Sequence, residues 1–86
     1  MANNKRAAAL TKKADVLSAL ELLTAPVIHV QRKGTLGAIS CTLEGWTANG
    51  RCWLRAVSLA PVKALLASGE LVGELRANTR IKVATK

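Results

Sequence analysis

Glu44-Gly45-Trp46-Thr47-Ala48-Asn49-Gly50-Arg51-Cys52-Trp53-Leu54-Arg55 is the segment around which the rest of this chain is organised. It holds both tryptophans, and Asn49-Gly50 at its centre is the strongest short-range hairpin signal a sequence offers. A two-residue turn there sets Trp46 against Trp53, Thr47 against Cys52, Gly45 against Leu54 and Glu44 against Arg55. An aromatic pair and an opposite-charge pair then lie directly across from each other, which stabilises antiparallel strands. Leu43, Cys52, Leu54 and Ala56 share one face and read as core. Glu44, Trp46, Arg51, Trp53 and Arg55 share the other.

Upstream, Val27 to Arg32 is rich in β-branched residues and alternates in polarity, as a strand does. A two-residue turn at Lys33-Gly34 sets Ile28 against Ile39 and Val30 against Gly37. Both turns place Ile28, Val30, Ile39, Cys41, Leu43, Cys52, Leu54 and Ala56 on one side of a three-strand meander. His29, Gln31, Ser40, Thr42 and Glu44 fall on the other side with the Trp/Arg group. Further back, Val16, Leu17, Leu20 and Leu23 form a helical apolar stripe, with Lys12, Asp15 and Ser18 away from it. Asn3, Asn4 or Thr11 is the candidate cap, and Pro26 is the expected stop, because the residue before a proline is pushed toward extended geometry.

Downstream, Ser58 or Leu59 opens a second helix with Pro61 in its first turn. Val62, Leu65 and Leu66 form its buried side, and Gly69 is its C-terminal cap. The tail reads as a last hairpin looping at Ala77-Asn78-Thr79, with Leu75 opposite Ile81 and Glu74 opposite Lys82. The expected fold class is α+β: N-terminal helix, three-stranded antiparallel meander, second helix, and a C-terminal strand or hairpin, closed as a small barrel or left as an open sheet. Residues 1–10 form a basic lead-in to a single domain over 11–86. Three strands, a helix and two strands resemble the element order of OB-type barrels, which bind oligonucleotides. The opening helix followed by Pro26-Val27-Ile28-His29-Val30 and a turn at Gly34 resembles the start of an Sm-like RNA-binding domain, a likeness that ends at the second helix.

Lys and Arg number 13 against 5 Asp and Glu, for a net charge of +8 on 86 residues. Such a field attracts nucleic acid or an acidic protein surface. No apolar run approaches the eighteen or so residues of a membrane span, and Lys12-Lys13 cuts the apolar start too short for a signal peptide. The expected setting is cytoplasmic, without a membrane partner.

Catalysis is poorly provided for. His29 and Asp15 would be a triad's only histidine and aspartate, one on a strand and one on the outer side of a helix. Cys41, Cys52 and His29 lack metal-ligand spacing and a shared face. No Gly-rich phosphate loop is present. In the expected register the two cysteines lie on one face but on the order of 20 Å apart, beyond the ~7 Å Cα separation a disulfide bridges. The chain is expected to be no enzyme and to hold no metal or cofactor.

What remains is binding. Arg32, Lys33, Arg51, Arg55, Arg80 and Lys82 are candidate phosphate contacts, with Trp46 or Trp53 as a stacking platform. The expected partner is DNA or RNA, without strong sequence specificity. An acidic protein docked on the same face, as by an inhibitor or adaptor, is the alternative, and a homodimer is a further option. The plainer reading is that both tryptophans pack beneath a helix.

Overall fold

The computed structural model describes residues 9–34 and 36–84. Helix α1 (Lys13–Leu22) leads into strand β1 (Thr24–Lys33), followed by β2 (Ala38–Trp46) and β3 (Cys52–Val57). Helix α2 (Leu59–Ser68) then precedes β4 (Leu71–Val72) and β5 (Thr79–Val83). The five strands form one antiparallel sheet in the order β3-β2-β1-β5-β4. The architecture is α+β, and the sheet is open rather than a barrel, since β3 and β4 are its two edges.

Both helices contribute to one core. Val16, Ala19, Leu20 and Leu23 from the α1 segment meet Val62 and Leu65 of α2 and the sheet residues Ile28, Val30, Cys41, Leu43, Val57, Leu71 and Ile81. The sheet members belong to one side of the pleat, so the helices cover that side alone. The result is a flat two-layer molecule of 38 × 37 × 21 Å.

The hairpin register differs from the expected one by a single residue. Trp46 pairs with Cys52, Gly45 with Trp53, Glu44 with Leu54 and Cys41 with Val57. The loop explains the slip. A two-residue type I′ turn needs positive φ at both central residues, but here only Gly50 has it, at 79°. The Gly50 N–H donates to the Thr47 carbonyl at 2.9 Å, and the Thr47 N–H donates to the Arg51 carbonyl at 2.8 Å. The Arg51 N–H donates to Thr47 Oγ1 at 3.1 Å. This is a three-residue loop closing on a left-handed glycine. Because side chains alternate along a strand, a slip of one inverts every residue of β3. Trp53, Arg55 and Val57 turn toward the helices; Cys52, Leu54 and Ala56 turn away. The slip also sets the large Trp53 indole opposite Gly45, where an added Cβ would lie 3.0 Å from Leu23 Cβ.

The first hairpin shifts too, with a milder consequence. Ile28 faces Leu43 and Val30 faces Cys41, with Gly34 and Gly37 both at positive φ in the connection. Ile28 has moved from Ile39 to Leu43, an even number of residues, so its face is kept.

Helix α1 starts after Lys12, which makes no side-chain capping bond, rather than at a Thr11 cap. Asn3 and Asn4 lie outside the described residues. The helix ends at Leu22, before Pro26 can stop it, because Leu23 is already extended at φ −98° and ψ 147°. Pro26 sits inside β1 at a bulge between Thr24 and Val27, next to Ala25 at φ 53°. A bulge is where a strand tolerates a residue without an N–H. Helix α2 matches expectation: Pro61, Val62 and Leu65 are buried, and Gly69 at φ 85° caps it. The Glu70 N–H donates to the Leu65 carbonyl at 3.0 Å.

The tail pairs differently from the expected hairpin. Leu71 faces Val83 and Val72 faces Lys82, while Leu75 and Glu74 lie in the connection. Asn78 adopts the left-handed conformation at φ 68°, as its short polar side chain allows. β5 also pairs with β1 along its other side, Ile28 opposite Ile81 and His29 opposite Arg80. At the far edge, the Leu10 N–H donates to the Ala56 carbonyl and the Ser58 N–H to the Leu10 carbonyl, at 3.0 and 2.9 Å. That contact covers one end of the β3 edge, and β4 is only two residues long, so neither edge presents a long open template.

Candidate functional site

Among the described residues, nothing covers the side of the sheet away from the helices. Alternation and register place Trp46, Glu44, Thr42 and Ser40 of β2 there, beside Val27, His29, Gln31 and Lys33 of β1. Cys52, Leu54 and Ala56 of β3 flank them on one side, and Arg80 and Lys82 of β5, then Val72 of β4, on the other. Trp46 is 51 % exposed, Leu54 62 % and Val72 59 %.

Across the middle of this face run Leu54, Glu44, Val27, Lys82 and Val72, one from each strand in spatial order. The next row holds Ala56, Thr42, His29 and Arg80. By strand spacing, Lys82 lies about 12 Å from Trp46 and Arg80 about 17 Å. His29 and Glu44 sit diagonally across β1 and β2, and His29 Nε2 lies 2.7 Å from Glu44 Oε1. That bond ties down the one carboxylate that the described strands place on this face. The remaining charges, Lys33, Arg80 and Lys82, are positive.

The eight sequence candidates therefore separate. Trp46, Lys33, Arg80 and Lys82 belong to the uncovered face. Arg51, Trp53 and Arg55 still share a side of the second hairpin, but it is the side of the helices. Arg32 also has the helix-side alternation, opposite Ile39, and is exposed at the end of β1. Trp53 is half-buried and packs on the core. With Arg55 it lines a cleft of about 680 Å³ between α1 and the second hairpin, walled by Leu10, Ala19, Leu22 and Leu23. The expected Trp46–Trp53 pair and Glu44–Arg55 pair are absent because of the register. Each tryptophan belongs to a different surface.

Cys41 and Cys52 are both free, and they lie on opposite faces rather than on one. Cys41 is in the core, and burial raises its thiol pKa. Cys52 is exposed beside Trp46. Among the described residues no group of His, Cys, Asp or Glu is placed to hold a metal ion. None of the described helices is long and apolar enough to cross a membrane.

The sequence reading missed three features of the uncovered face: the His29–Glu44 bond, Leu54 as a surface residue, and the arrival of β5 beside β1. The first two follow from the correct registers. The third is a long-range pairing for which the chain carries no local signal. No family model, curated protein or solved structure matches this chain.

Proposed function

We propose that the protein is a non-enzymatic nucleic-acid-binding module that engages its ligand with the uncovered sheet face. The observation carrying this reading is that one open face combines an exposed indole with Lys33, Arg80 and Lys82, while the carboxylate of Glu44 on that face is bonded to His29. Arg80 and Lys82 would grip phosphates, and Trp46 would stack on a base. Thr42 in the Arg80 row, and Gln31 and Ser40 one row beyond it, supply neutral hydrogen-bonding groups. A net charge of +8 draws polyanions from a distance. Among the described residues the face offers no protruding helix to read a major groove, which favours weak sequence preference.

Anisotropy of labelled DNA and RNA, followed across a salt series, tests this reading. Binding should weaken with salt, with a log–log slope of about −0.7 to −0.9 per phosphate neutralised. Arg80→Glu with Lys82→Glu should flatten that slope. An absence of binding to either nucleic acid at low salt would end the proposal.

A second reading rests on Trp46, Leu54 and Val72, which expose apolar surface on the same face. Such residues favour contact with an acidic protein or a second copy of the chain. Sedimentation equilibrium decides the self-association branch: a monomer at high concentration removes it.

A further inference from the structure

Building on the nucleic-acid reading above, we infer that the uncovered face is built for a single strand rather than a duplex. The inference rests on how the apolar and charged groups of the face are interleaved. Trp46, Cys52, Leu54 and Val27 cluster at the end formed by β2, β3 and the start of β1. Arg80 and Lys82 lie two strands away on β5. Trp46 and Leu54 are each more than half exposed.

A duplex meets a protein surface with its phosphates and keeps its base faces stacked inside the helix. Pressed against this sheet, it could satisfy Arg80 and Lys82. Its phosphates would then strip water from Trp46 and Leu54 without giving them an apolar partner. A single strand has unstacked bases as well as phosphates. It can lay a base on the Trp46 indole, cover Leu54 and Cys52 with the same or a neighbouring base, and still place its backbone over β5. The separation of about 12–17 Å between indole and cations suits a chain running obliquely across three strands. Every base offers a π-face, so this mode is tolerant of sequence.

The test is a competition between oligothymidine or oligouridine and a hairpin duplex of similar charge, read by tryptophan emission and anisotropy at one fixed low salt. Single strands are expected to bind at least tenfold more tightly and to quench Trp46. Trp46→Ala should lower single-strand affinity by roughly tenfold and should not lower duplex affinity, since a duplex gives the indole no partner. Trp46→Phe should recover part of the loss, and unchanged far-ultraviolet circular dichroism would show both variants folded. Equal or tighter duplex binding, or single-strand affinity indifferent to Trp46→Ala, overturns the single-strand inference and leaves the nucleic-acid reading standing. Failure of both probes to bind overturns the two together.

Discussion

Gly50 holds the left-handed φ of 79° on which the register of the second hairpin depends. An added Cβ there meets nothing within 4 Å, so the cost of Gly50→Ala is backbone strain alone, about 1–2 kcal/mol. A lowered denaturant midpoint with an unchanged m-value would record it. The cysteines give a second test. Cys52 should react with a thiol reagent in the native protein, whereas Cys41 should react only after unfolding. Because burial raises the Cys41 pKa, the folded chain holds that proton to higher pH than the unfolded one. Stability from this group is thus fully present below the unfolded pKa and falls as pH climbs through the folded value. Cys41→Ala should lessen the loss in alkaline melts.

At the scale of elements, the β2–β3 hairpin can be probed from its two sides. Leu54 is exposed and Val57 is 5 % exposed. Leu54→Ser should therefore change stability by no more than about 0.5 kcal/mol. Val57→Ala should cost about 1–3 kcal/mol, and Leu65→Ala at the centre of α2 about 2–5 kcal/mol, read by urea titration. A two-residue turn would reverse the order of Leu54 and Val57. The two helices and the first three strands were legible, from the Val16–Leu20 stripe, the alternation from Val27, the Pro61 start and the Gly69 cap, whereas β4 was not. The register was not. Asn49-Gly50 fits a two-residue and a three-residue loop equally well. What separates them is tertiary: Trp53 opposite the bare Gly45, and Val57 rather than Ala56 in the core. The first hairpin tolerated its misplacement because an even shift leaves faces unchanged.

For the molecule as a whole, the two-layer arrangement with helices on one side divides the candidate binding residues. Composition alone showed a basic chain and raised the expectation of a nucleic-acid or acidic protein partner. It could not reveal that Trp53, Arg55 and Arg51 would turn to the helix side. Nor could it reveal that Arg80 and Lys82 would complete a surface begun by β1 and β2, since β5 reaches β1 across most of the chain length. Amide and indole chemical-shift mapping during titration with a short single strand shows whether the proposed ligand lies on the open sheet face. The predicted result is that the Trp46 indole and the amides of His29, Thr42, Arg80 and Lys82 move together, while the Trp53 indole and α1 stay still. Shifts confined to Trp53, Arg55 and α1 would overturn the sheet-face proposal and place the ligand in the cleft beneath the helix.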